Sequence, residues 1–81
     1  MIDQVRKLLS GHPMIPVDIA ALADDANLYD AGLTSFASVQ MMLALEEEFD
    51  MEFPEAMLTR RTFSSLANIA DAVSQLTRRA A

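Results

Sequence analysis

Few residues in this chain can do chemistry unaided, and most are set aside on elementary grounds. A Ser-His-Asp hydrolase needs an imidazole beside its nucleophile. The one histidine, His12, stands in a Gly11-His12-Pro13 turn, where a loop histidine at the surface is the simpler reading. There is no cysteine, so a thiolate nucleophile, a disulfide and a Cys-ligated zinc are excluded. The acidic run Asp24, Asp25, Asn27, Asp30 invites comparison with a calcium loop. Counted from Asp25, however, the sixth position is Asp30 where glycine is needed, and the twelfth is Phe36 where glutamate is needed. These side chains read as turn caps in a solvated loop, and Glu46-Glu47-Glu48 as a wet helix face. No metal site is expected. What remains is Ser35, which follows the glycine-containing loop Leu28 to Thr34 and opens a helix. Free backbone N–H groups and the helix dipole at such a place favour an attached or bound phosphate. By residue type and spacing alone it is equally a helix cap.

Helices must position that serine. Ile2, Val5, Leu8 and Leu9 share one face of a first helix, which stops at Gly11 with Pro13 just beyond. Residues 14 to 34 are a long connection, in which Asp18 can cap a short turn through Leu22 and Ile15, Ile19, Leu22, Leu28 and Leu33 are buried anchors. A connection of about 20 residues in so small a domain is functional or ordered by its own packing. A second helix is expected from Ser35 to about Asp50, capped by Thr34 or Ser35. Pro54 and Glu55 open a short helix near 55 to 60. Thr62 caps a last helix, in which Leu66, Ile69, Val73 and Leu76 recur at i, i+3, i+7 and i+10, with Arg78 and Arg79 at its negative end. The expected fold is all-α, a bundle of three main helices plus one short helix with a long loop after the first, residues 1–81 forming one domain. Its core should contain Val5, Leu8, Leu9, Leu28, Leu33, Phe49, Phe53, Leu66, Ile69 and Val73, with Met41 and Met42 as adaptable filler.

Composition bounds the function. The 81 residues make room for one domain, and 52% of them are hydrophobic, enough for a core. Twelve acidic against six basic residues leave a net charge of -6. That balance excludes nucleic acid and anionic membrane as partners and favours basic proteins. No apolar run approaches the ~18 residues a membrane span needs, and Met1-Ile2-Asp3 starts no signal peptide, so a soluble cytoplasmic monomer is expected.

Motif order adds a family. Tyr29-Asp30-Ala31-Gly32-Leu33-Thr34-Ser35-Phe36 is followed by Ala44-Leu45-Glu46-Glu47-Glu48-Phe49-Asp50, then Phe53-Pro54, then Thr62-Phe63-Ser64-Ser65-Leu66. This succession resembles the acyl carrier protein family, which includes peptidyl and aminoacyl carriers. Size, acidity, missing cysteine and helix order agree with it, and agreement across levels carries more weight than one motif. The resemblance implies that Ser35 receives 4′-phosphopantetheine from coenzyme A through a phosphopantetheinyl transferase. The arm's thiol then holds a cargo as a thioester, so the chain is a carrier and not an enzyme. A cargo-activating ligase and downstream transferases are the implied partners.

Departures from the fatty-acid-synthesis type narrow the reading. That type usually has Asp before the serine and acids in the following turns, where this chain has Thr34, Ala37 and Gln40. The segment Met57 to Phe63 is also more basic, through Arg60 and Arg61. A specialised free-standing carrier of an amino acid or non-standard acyl group is favoured over a housekeeping fatty-acid carrier. A helical adaptor with Ser35 only a cap is the third alternative. Advancing ~100° per residue, Met41, Met42, Leu45 and Phe49 form one apolar arc of the second helix and Phe36, Val39 and Leu43 another. The first arc is expected in the core. The second is expected to lie open beside Ser35 as a docking face, with Glu46 and Glu47 as a charged rim that guides encounter. Arg60 and Arg61 either pair with Glu46, Glu47 or Asp50, or touch a partner or the prosthetic phosphate.

Overall fold

The computed structural model describes residues 1–80, with side chains as far as Arg78. It has three helices, α1 (Ile2–Ser10), α2 (Ser35–Phe49) and α3 (Leu66–Ala80), with single 3₁₀ turns at Ile19–Ala21 and Glu55–Met57. No strand occurs among the described residues. The side chain of Arg79, expected beside Arg78 at the end of α3, lies outside the described residues, whereas Arg78 Nε donates back to the Ser74 carbonyl.

α1 packs on both α2 and α3 through Val5 and Leu9, which are fully buried. Leu8, expected inside, is only partly buried, because it lies on the rim of a groove between α1 and α2. α3 turns Leu66, Ile69, Val73 and Leu76 inward as its spacing dictates. Its cap is not Thr62. Ser65 Oγ accepts from the Asn68 amide at 3.1 Å, and Thr62 instead joins Thr59 in a turn of their own, hydroxyl to hydroxyl at 3.1 Å. The expected short helix near 55 to 60 is a single turn that ends at Met57. Below it the Phe53 and Phe63 rings meet edge to face at 5.2 Å between centroids.

The long loop is ordered by a latch that spans it. From α1, Arg6 Nη1 donates to the carbonyls of Ile19 (3.0 Å) and Leu22 (2.6 Å), and Nη2 pairs with the Asp24 carboxylate. The Asp24 carbonyl accepts from the Ala67 amide in α3 at 2.9 Å, and the Leu28 amide donates to the Ser64 carbonyl at 2.7 Å. Ile15, Val17, Ile19, Leu28 and Leu33 are buried beneath these bonds, while Leu22 is half-buried. Asp18 heads the short turn, yet its side chain makes no cap bond there.

α2 buries Ala37, Met41 and Leu45, with Met42 and Phe49 partly covered. Phe49, expected in the core, is therefore half-buried. Each i+4 step overshoots a full turn by about 40°, so a ladder starting at Ala37 has turned to the edge of the core by Phe49, which still packs against it. Met51 and Phe53 fill the space under the bundle instead. The helix ends at Asp50, a non-glycine residue in the left-handed region with φ 50°.

Candidate functional site

A tight loop delivers Ser35 to the surface. Asn27 Oδ1 accepts from the Asp30 amide, the Gly32 amide donates to the Tyr29 carbonyl, and the Leu33 amide to that of Leu28. Gly32 sits at φ 118°, a conformation a side chain rarely tolerates, which is why glycine stands there. The chain then alternates, with Leu33 buried, Thr34 extended (φ -96°, ψ 164°) and Ser35 exposed as the first residue of α2.

Two neighbouring hydroxyls divide the work. Thr34 Oγ1 accepts from the Ala37 amide at 3.0 Å and is the helix cap. Ser35 is therefore not the cap, and no hydrogen bond engages its hydroxyl among the described residues. Ser38, one turn on, donates its hydroxyl to the Ser35 carbonyl at 2.7 Å, so it is occupied within the helix.

Ser35 opens onto a groove of about 390 Å³ between α2 and the connection to α3, with Tyr29, Val39, Met42, Leu58 and Arg60 in its walls. The Arg60 guanidinium lies over the Tyr29 ring, 4.0 Å from its centroid. Arg61 faces a different groove, beside Asn68, Asp71 and Gln75. Neither arginine forms an ion pair with Glu46, Glu47 or Asp50, and Arg6 with Asp24 is the one ion pair among the described residues. The reason is position. Arg60 shares the Ser35 end of α2, whereas the glutamates and Asp50 occupy the opposite end.

Phe36, Val39 and Leu43 are exposed at 59%, 48% and 48%, so this arc of α2 is open to solvent. Ala37, which stands where the fatty-acid type usually carries an acid, is buried. Glu47 is exposed, but Glu46 is partly buried, and its Oε2 accepts from the Phe53 amide at 2.9 Å. That bond anchors the segment after α2, a structural duty that no local pattern advertises. Leu58, also exposed, adds an apolar residue to the Ser35 groove. Its only sequence signal is a leucine just before the polar run Thr59-Arg60-Arg61. Among the described residues no cluster of acidic, histidine or cysteine side chains could hold a metal ion. None of the described helices is long and apolar enough to cross a membrane.

A small helical bundle that displays an unengaged serine hydroxyl at a helix start, above an open groove, has the features of a scaffold for a covalently attached group. Comparison with known proteins names the class: a family model described as a phosphopantetheine attachment site matches residues 3–73, and the chain belongs to that family. It is a carrier protein rather than an enzyme, and its cofactor is 4′-phosphopantetheine. The chain is 48% identical over 69 residues to an aminoacyl carrier protein of Agrobacterium fabrum, covering 85% of this chain and 83% of that one. A carrier protein from Agrobacterium tumefaciens, solved with an engineered Bradyrhizobium japonicum glycine:carrier protein ligase and ATP, superposes with a TM-score of 0.83. That match is 44% identical and covers 93% of this chain and 97% of the other. A glycylated carrier protein solved with the Bradyrhizobium japonicum ligase is more distant, with a TM-score of 0.65, 31% identity, and coverage of 88% and 90%.

The residues present fit the group. Ser35 offers an accessible hydroxyl with no competing bond, and the groove beside it is open and part apolar. When attached, phosphopantetheine supplies the thiol that a chain without cysteine lacks.

Proposed function

We propose that Ser35 is the attachment point, and that the whole chain acts as one carrier domain for a small amino acid, glycine first among the candidates. The observation that carries this reading is the free hydroxyl of Ser35, left unengaged because Thr34 caps α2. A phosphopantetheinyl transferase makes the bond: the Ser35 oxygen attacks the pyrophosphate of coenzyme A, a Ser35 O–P bond forms, and 3′,5′-ADP leaves as the transferase takes up the hydroxyl proton. The chain's part is to hold that oxygen rigidly at a helix N-terminus, where the dipole favours the phosphate.

The aminoacyl cargo is supported by the relatives, one an aminoacyl carrier and others bound to glycine:carrier protein ligases. The cognate ligase docks on Phe36, Val39 and Leu43, with Glu47 and the remaining charge of Glu46 as a rim. Downstream transferases accept the cargo from the same face. The protein works as a cytoplasmic monomer.

Intact mass after incubation with coenzyme A and a phosphopantetheinyl transferase tests the attachment. One phosphopantetheine should add to the wild type and none to Ser35→Ala; addition to Ser35→Ala would refute the assignment. Loading of the holo protein by a glycine:carrier protein ligase and, in parallel, by a fatty acyl ligase tests the cargo. Val39→Asp and Leu43→Asp should abolish aminoacyl loading with the fold intact, and salt should weaken loading only modestly. Exclusive loading by the fatty acyl enzyme would reassign the cargo. Steep salt dependence with tolerant Val39 and Leu43 would move recognition to the acidic end of α2.

A further inference from the structure

Arg60 is a cation kept apart from the carboxylates of an acidic chain. Twelve acidic residues outnumber six basic ones, yet among the described residues Arg60 meets no acid. It lies over the Tyr29 ring, 4.0 Å from the centroid, in the same groove as Ser35. A guanidinium held over an aromatic face keeps N–H donors for another partner, and such donors match the oxygens of a phosphate. Tyr29 itself is tied into the loop that presents Ser35, through the bond from the Gly32 amide to its carbonyl. Platform, cation and serine are thus parts of one small assembly. Arg61, next in sequence, faces the other groove and shares none of this.

We infer that Arg60, held on Tyr29, binds the phosphodiester that joins Ser35 to its arm and so sets the direction in which the arm leaves the protein. The inference rests on Ser35 being the attachment point. Arg60 is here a positioning residue: it breaks and forms no covalent bond. It draws the base of the arm over the Val39, Met42 and Leu58 wall of the groove. Charge-assisted hydrogen bonds of this kind are shorter and stronger than neutral ones. The phosphodiester would otherwise stand free at the helix end, with the dipole alone to hold it.

The test uses the full chain in apo and holo forms, read by ³¹P and ¹⁵N NMR rather than by loading. In the wild type, conversion from apo to holo should shift the Arg60 Nε–Hε resonance. Arg60→Gln should move the ³¹P resonance of the holo protein by more than its line width, and Tyr29→Leu should move it in the same direction. Arg61→Gln should leave it in place. Added salt should carry the wild-type resonance towards the Arg60→Gln position, because an exposed ion pair is screened. Arg60 is a surface residue, so Arg60→Gln should retain the amide spectrum of the folded protein even if Tyr29→Leu does not. Identical ³¹P positions in wild type and Arg60→Gln, with an unmoved Arg60 Nε, would overturn the inference. So would an equal displacement by Arg61→Gln. Intact mass separates the two levels: attachment to Ser35 without these shifts refutes the role of Arg60 alone, whereas failure of attachment in the wild type refutes both.

Discussion

Thr34→Ala removes the oxygen that accepts from the Ala37 amide at 3.0 Å, while Ser35→Ala removes an oxygen that accepts from nothing among the described residues. The pair therefore separates the cap from the attachment point, although the two residues are adjacent and both carry hydroxyls. Loss of a Thr cap costs about 0.5–2 kcal/mol, typically near 1. The upper part of that range applies here, because Ala37 is almost fully buried and water has restricted access to its freed amide. In a domain of this size each kcal/mol is worth about 4–8 °C of melting temperature. Ser35→Ala should leave the melting temperature unchanged or raise it slightly, since alanine is the better helix former by up to ~0.5 kcal/mol. Thermal melts of the two apo proteins, followed by circular dichroism, measure the difference, and Thr34→Ser should recover most of the loss. Intact mass should show the reverse pattern, with Thr34→Ala still accepting the arm and Ser35→Ala refusing it. A drop in Ser35→Ala as large as that in Thr34→Ala would mean that Ser35 shares the capping, and the division of labour would fail.

Three further outcomes follow from burial and backbone. Leu45→Ala, at a fully buried position, should cost about 2–5 kcal/mol in urea unfolding. Phe49→Ala should cost less than the ~3–5 kcal/mol of a fully buried phenylalanine, because its side chain is only partly covered; a larger loss than that of Leu45→Ala would contradict the packing. Asp50→Gly should stabilise by about 0.5–1 kcal/mol, relieving a left-handed side-chain residue and removing a negative charge from the negative end of α2. A lower urea midpoint in that variant would show that the Asp50 side chain has a structural partner.

Periodicity carried the regular parts of the fold. Leu66, Ile69, Val73 and Leu76 repeat at helical spacing and all are buried, and the arc of Phe36, Val39 and Leu43 stands open. What periodicity could not resolve was the choice between chemically similar neighbours. Thr34 and Ser35 are equivalent as atoms, as are Thr62 and Ser65 at the next helix start. At α2 the choice rests on which residue adopts the extended backbone just before the first turn, a matter of the dihedral angles of Thr34 alone. Phe49 departs by degree: a two-turn arc looks continuous on a wheel, but its last member turns to the edge of the core, where it packs against it without being fully covered. The Arg6 latch and the stacking of Arg60 on Tyr29 join segments many residues apart, and no local pattern announces either. For Arg60 the nearby run of acids in the sequence pointed to the wrong end of α2.

The carboxylates at the far end of α2 oppose its dipole, since Glu46, Glu47, Glu48 and Asp50 gather where the helix is already negative. Helix stability alone would place cations there. At ~1.5 Å per residue, α2 separates Glu46 to Asp50 from Ser35 by about 17–22 Å. The screening length at physiological salt is about 8 Å. A partner thus feels the two ends as independent landmarks, one acidic and one bearing the arm. The helix between them acts as a ruler: an enzyme that grips the acidic end must have the mouth of its active site about 17–22 Å away along the same line, less or more by the lean of the arm.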